Sequence, residues 1–290
     1  MPPPVSSSAQ AARQRLADQL REIRQDAGLT GRELAHRAGW TAGVSKVSRI
    51  EHGHRPISAE DLRTWCEVCG VPPQRTAELL AELRTVASMW QTHRQLNRAG
   101  LKARQERLRD EYWQVKVMRV YQNRVVPGLM QTPAMTGFYL SRARMEQHLD
   151  LDDVAEAVQA RMERQECLNR ADARWLFLLE EDVLWYRPGP VEVHREQLRH
   201  LLSAMHRPTV SLGIIPRDID RAGVIPAESF TMTDADLVAV ELTGGYVQFT
   251  QPAEIRLYAE AWDRMWSLAV HGDAARALIN GALEALDRPL

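Results

Sequence analysis

The chain has 290 residues, 44% of them hydrophobic and 26% charged, with a formal net charge of −1 and three cysteines. No run of about 18 apolar residues is present to cross a bilayer, and the opening MPPPVSSS lacks the basic and apolar regions of a secretion signal, so a cytoplasmic protein is expected. An odd number of cysteines spread over so long a chain argues against a disulfide framework, and the length predicts two domains.

Charge is divided unevenly along the chain. Residues 1–109 hold 18 Lys and Arg against 11 Asp and Glu, which leaves 19 against 27 for the rest. The basic end points to a polyanion partner, and the acidic remainder argues against nucleic acid wrapping the whole molecule.

Residues 1–10 have the Pro/Ser composition of a disordered tail. From Ala11 to Ala27, Leu16, Leu20 and Ile23 recur at helical spacing among charged residues, and Gly28 ends the helix. A second helix starts at Thr30, an N-cap with Glu33 three positions on in a capping box, and buries Leu34, Ala35 and Ala38 before Gly39. The third reads SKVSRIEH. Thr41 or Gly43 precedes it and Gly53 closes it, with Val44, Val47 and Ile50 as its apolar stripe and Ser45, Lys46, Ser48, Arg49 and His52 opposite. A fourth helix starts at Ser58, with Glu60 and Asp61 in its first turn, turns Leu62, Trp65, Cys66 and Cys69 inward, and stops at Gly70.

Short helices around a Gly-containing turn make an all-α helix-turn-helix N-terminal domain over residues 11–72. LTGRELAHRAG followed by SKVSRIEHG resembles the lambda-repressor and Cro type, or XRE family, from about Leu16 to Val71. GWTAGV makes the turn two residues longer than is usual there; whether this lengthens the turn or extends the third helix is left open. The resemblance implies a third helix in the major groove of double-stranded DNA, with Val44, Ser45, Lys46 and Arg49 at base-contacting positions and Thr41 and Ser48 beside them. It places Thr30, Arg32, His54 and Arg55 near phosphate. Family members often have Gln at the Gly31 position, which removes one phosphate contact here. Arg24 and Glu51 match an internal ion pair. Cys66 and Cys69 with His52 and His54 could be written as a zinc set, but helical spacing makes the cysteines core residues, and no metal or cofactor is expected.

Residues 73–110 read as a polar helical connector. Leu79, Leu80, Leu83 and Val86, continued by Met89, Trp90 and Leu96 before Gly100, give it a stripe to pack on the next domain or on a second copy. A homodimer is expected, because one short helix reads too few bases.

Residues 111–290 read as a larger α+β domain. QVKVMRVYQ is a strand, VVPGL a turn, Thr132 to Arg144 a helix and DDVAEAVQARMERQECLNR another. RWLFLLEEDVLWY and TVSLGIIP are strand-like, separated by the helix EVHREQLRHLLSAMH. Short strands follow around Phe230, Val238 to Leu242 and Tyr246 to Phe249, then helices around Ile255 to Val270 and Ala274 to Leu286. VYQNRVVPGLMQTPAMTGFYL, ARMERQECL and REQLRHLLSAMHRPTVSLGIIP resemble the C-terminal domain of the actinobacterial WhiJ-like regulators. That resemblance implies an antitoxin-like arrangement with a small partner protein encoded nearby.

No phosphate-binding Gly-rich loop, HExxH, GxSxG or paired zinc ligands occur, so no enzyme is expected. Glu180, Glu181 and Asp182 read as a charged turn. His194, His200 and His206 are spaced so that they drift around their helix. Trp175, Trp185, Tyr186, Trp262 and Trp266 read as core, with an effector pocket for an unknown small molecule as the alternative. The sequence therefore predicts a sequence-specific transcriptional regulator with a C-terminal regulatory domain and no membrane partner. The second reading is an antitoxin-like protein that holds a small partner and regulates its own gene.

Overall fold

A computed structural model of the chain describes residues 8–41, 43–88 and 90–287. It divides into two compact units, Met1–Gln91 with Val247–Phe249, and Thr92–Tyr246 with Thr250–Leu290. Helices make up residues 8–88 of the first apart from their turns, strand residues 90–91 and 247–249 join it, and the second is α+β.

In the helical unit α1 spans Ser8–Asp26, α2 Gly31–Arg37, α3 Gly43–Glu51, α4 Ala59–Val68 and α5 Pro73–Ser88. The backbone of α1 is thus helical three residues before the expected start; residues 1–7 of the expected tail lie outside the described residues. Local chemistry accounts for the boundaries. Thr30 and Glu33 form the reciprocal capping box, and Ser58 accepts from the backbone of Asp61. Leu16, Leu20, Leu34, Val47, Ile50, Leu62 and Trp65 share one core, and the Trp65 indole donates to the Leu20 carbonyl at 3.2 Å. Leu79 is buried in that core with Leu80 and Leu83 against it, so α5 is built into the helical unit. Ala38, expected inside, is the half-buried C-cap of α2. Cys66 is buried and Cys69 half-buried in the same core, which pushes the Cys69 thiol up to about 11.

After a short strand β1 (Trp90–Thr92), the α+β unit begins with α6 (His93–Leu96) and α7 (Leu101–Tyr112), so residues 73–110 contribute to both units. Met89 lies outside the described residues. Then come β2 (Val117–Gln122), a 3-10 turn at Gly128–Met130, α8 (Pro133–Glu146), α9 (Val154–Gln165), β3 (Arg174–Glu180), α10 (Asp182–Trp185), α11 (Val191–Ala204) and β4 (Val210–Ile215). β5 (Phe230–Thr233), β6 (Leu237–Leu242), β7 (Gly245–Phe249), α12 (Pro252–Trp266) and α13 (Gly272–Ala285) follow.

The strands wholly within this unit lie in the order β6-β5-β2-β3-β4. β2, β3 and β4 are parallel, with Val120 opposite Phe177 and Leu178 opposite Gly213, because helical crossovers of more than a dozen residues join them. β5 returns antiparallel on the far side of β2 and β6 pairs with it. Trp175, Phe177, Leu179, Leu198, Ile214 and Ile279 form the main core. RWLFLLEEDVLWY is a strand only to Glu180, after which the chain turns into α10. Among the described residues no helix is long and apolar enough to cross a membrane.

Burial inside this unit predicts a pH response. His194 is 2% exposed, its Nε2 donates to the Leu184 carbonyl at 2.9 Å, and burial lowers its pKa below the ordinary 6.5. Burial lowers His200 as well. The unfolded chain takes up a proton at a higher pH than the folded one, so stability is expected to fall as pH drops below 6.5 and to level off at the folded-state value. Replacing His194 by Gln should flatten that fall in thermal unfolding between pH 5 and 7.5, given as an approximate window around the ordinary histidine pKa. An unchanged slope in the variant would assign the fall to other groups.

Candidate nucleic-acid interface

Helix α3 is locked from behind. Val47 and Ile50 are buried, and Glu51, 6% exposed, forms a two-point ion pair with Arg24 of α1: Nε to Oε1 at 2.5 Å and Nη2 to Oε2 at 3.1 Å. The third nitrogen of Arg24 donates to the Leu29 carbonyl at 2.6 Å. Gly53 closes the helix at φ +65, and a Cβ there would sit 2.8 Å from the Gln14 side-chain oxygen. That position needs glycine for its left-handed backbone, since the Gln14 side-chain end could swing aside.

The turn takes up the extra length ahead of this helix. Gly39 (φ +67) ends α2, the Trp40 amide donates back to the Ala35 carbonyl at 3.0 Å, and α3 begins only at Gly43. Ala42 lies outside the described residues.

On the outward face Val44, Ser45, Ser48 and Arg49 are exposed, with Thr41 ahead of them and His52, His54 and Arg55 behind. Val44, read from its spacing as part of the apolar stripe, is 46% exposed and stands at the base-contacting side of that alternative. Arg49 lies along its own helix, donating to the Ser45 carbonyl at 3.1 Å and to the Ser45 hydroxyl at 3.4 Å. His52 pairs with the Ser48 carbonyl at 2.7 Å and stacks on His54 at 5.9 Å. A Cβ at Gly31 would lie 3.4 Å from Val47 and 4.0 Å from Val44, so the start of α2, with exposed Thr30 and Arg32, stands beside the first turn of α3. The Thr30 hydroxyl donates to Glu33 at 2.7 Å, and the Thr30 hydrogen bonds hold the Glu33 carboxyl below its ordinary range.

Lys46 departs from the sequence reading. Its side chain is 12% exposed, with Nζ 2.5 Å from Asp61 and 4.1 Å from the centre of the Trp40 ring. One position before buried Val47, it lies on the flank of α3 that meets the first turn of α4, where Asp61 and the Trp40 face offer a cation more than water does. Neither Trp40 nor Asp61 signals this role locally, since the partners lie six and fifteen residues from Lys46.

In the α+β unit, Glu180 and Glu181, read as part of a charged turn, stand where β3 gives way to α10 and are buried. Glu180 accepts from the Tyr121 hydroxyl at 2.7 Å and pairs with Arg221; Glu181 accepts from the Arg217 amide at 2.9 Å and from the Trp185 indole at 3.0 Å. Trp175 and Trp262 are core, whereas Trp185 and Tyr186 are exposed. Trp185 lines a groove of about 330 Å³ with Leu184, Arg187, His194 and Leu286.

Comparison with known families separates the same two parts. Residues 15–79, from within α1 to within α5, match a helix-turn-helix domain. Residues 113–281 match the domain of unknown function DUF5753, which takes in more than half of the chain. The chain belongs to the DUF5753 family. Its DUF5753 domain holds β2 to β7, and its helix-turn-helix domain makes it a DNA-binding regulator. No curated protein and no solved structure matches it.

Proposed function

We propose that this protein is a cytoplasmic, sequence-specific transcriptional regulator of the XRE type that acts by binding and not by catalysis, with α3 in the major groove and the DUF5753 domain as its regulatory part. One observation carries the reading: α3 is fixed from behind by Val47, Ile50 and the Arg24–Glu51 pair while Val44, Ser45, Ser48 and Arg49 face outward. Arg49 suits guanine O6 and N7, the serines suit any base edge, and Val44 suits a thymine methyl. Thr30, Arg32, His54 and Arg55 then position the helix on phosphate. Lys46 supports the turn through Trp40 and Asp61.

Footprinting on the protein's own upstream DNA at several salt concentrations tests this. A discrete footprint with two half-sites about 34 Å apart is expected from a dimer. Steep salt dependence with no discrete footprint would leave only non-specific attraction, and a monomeric mass on operator DNA would remove the dimer.

Gly31 offers a gain-of-function test. A Cβ there meets Val47 at ordinary contact distance, so Gly31→Gln fits the fold. It should restore a phosphate contact and tighten DNA binding by about 0.5–1.5 kcal/mol, the net worth of one hydrogen bond, in a fluorescence-anisotropy titration. No gain at matched salt would place the start of α2 away from the backbone of the duplex.

A further inference from the structure

Two of the segments by which the second half resembles known regulators, VVPGLMQT and ARMERQ, meet at one place that DNA binding leaves unused. Asp153 makes the meeting possible. As the N-cap residue of α9 it turns its carboxylate onto the start of α7, accepting from the Leu101 and Lys102 amides at 3.2 and 2.9 Å. The two helices therefore run side by side from a shared start, with Gln105 of α7 facing Arg161 of α9.

Arg161 and Arg164, three positions apart, share one face of α9. Arg161 is half-buried and donates to the side-chain oxygens of Gln105 at 3.1 Å and Gln131 at 2.6 Å. Both acceptors are buried and neutral. Arg164 is 4% exposed and stacks at 5.2 Å on the Tyr112 ring, yet it donates no hydrogen bond to any described residue, and its Nε is buried without a partner. Among the described residues no carboxylate forms an ion pair with either guanidinium. Glu241 acts on Arg161 only as a distant charge. Burial, and then the charge of Arg164, push Arg161 down to about 9.

Two like charges drawn out of water onto one helix face, with neutral acceptors and no counter-ion, are an unfavourable arrangement for a protein alone. Both converge on a backbone with no side chain in the way: a Cβ at Gly128 would lie 3.1 Å from Arg164 Nη2 and 3.5 Å from Arg161 Nη1. We propose that Arg161 and Arg164, closing on Gly128, form a binding site for an oxyanion, a phosphate or carboxylate group carried by a small molecule. The planar guanidinium fork matches such groups, and one dianionic phosphate would neutralise both charges. The site lies wholly in the α+β unit and does not depend on the DNA-binding reading.

The test uses the full chain without DNA. Its melting temperature is followed against inorganic phosphate or succinate, up to on the order of 10 mM at constant ionic strength set with chloride. Because phosphate also stabilises proteins by exclusion from their surface, the saturable response is taken relative to variants. Arg164→Met keeps the apolar stem of the side chain and removes the guanidinium, and Gly128→Ala puts a methyl group where the anion would sit. The expected result is a saturable rise in the wild type with phosphate, with succinate or with both, and at least tenfold weaker apparent binding in both variants. A response to phosphate alone or succinate alone supports the site and names its ligand group. No saturable response to either anion in the wild type, or an equal response in the variants, overturns the proposal. Should Arg164→Met fail to fold, Gly128→Ala alone decides.

Discussion

Replacing Glu51 by Ala is expected to cost about 3–5 kcal/mol of stability in the helical unit, because it leaves the mostly buried Arg24 guanidinium without its counter-charge. Arg24 is held at both Nε and Nη2 by Glu51, and the two side chains are only 12% and 8% exposed. The Leu29 carbonyl, the remaining acceptor, carries no charge. The hydrogen bonds that Arg24 donates to Glu51 raise its pKa, but a guanidinium does not deprotonate in proteins even without them, so Arg24 stays charged when its partner is removed. Removing both charges should do far less damage, since a buried pair replaced by packed apolar residues is often close to neutral. Arg24→Met with Glu51→Leu is therefore expected to recover most of the loss. Hydrogen exchange at the amides of α1 to α4 measures the opening free energy of this unit apart from the other. A cost below about 1 kcal/mol for Glu51→Ala would mean that the pair behaves like a surface ion pair and does not fix α3.

Residues that answer to their immediate neighbours were legible before any coordinates. Thr30 with Glu33, Ser58 and the glycines at 28, 39, 53 and 70 mark helix ends because capping and positive φ are local demands, and all six positions behave so. Periodicity placed Leu16, Leu20, Val47 and Ile50 in the core for the same reason. Arg24 and Glu51 came from resemblance, since nothing in their spacing joins residues 27 positions apart. The residues whose surroundings differ from their sequence reading answer to distant partners. Lys46 is placed by its spacing on the open face of α3, and the fold sets Trp40 and Asp61 around it. Glu180 and Glu181 read as a charged turn, and their burial follows only from Tyr121, Arg221 and Arg217 coming to the strand end. The strand order β5-β2-β3-β4 was illegible because pairing depends on where the crossover helices return the chain. The arginines of α9 are visible as two charges in a helix, but their lack of a counter-ion is a property of the fold.

The different surroundings of Lys46 and Arg49 separate two effects that the sequence merges. Read as two base contacts, the pair would together cost about 2–6 kcal/mol of operator affinity on replacement by Ala. Arg49 is exposed, and among the described residues its side-chain hydrogen bonds run to Ser45 one turn back, so it can exchange them for a base edge at little cost to the fold. Arg49→Ala should lose about 1–3 kcal/mol of specific binding, with a change in stability within about 0.5 kcal/mol. Lys46→Met should show the opposite pattern, losing about 1.5–3 kcal/mol of stability through Asp61 while operator affinity changes less than in Arg49→Ala. A double-mutant cycle with Asp61→Asn should return a coupling in stability and none in DNA affinity. Gel-shift titrations at one fixed salt, on operator and on scrambled duplex, separate specific loss from phosphate attraction. If Lys46→Met instead lost as much operator binding as Arg49→Ala with its stability intact, Lys46 would have to leave Asp61 and the Trp40 ring on the DNA, and α3 would read bases with both cations.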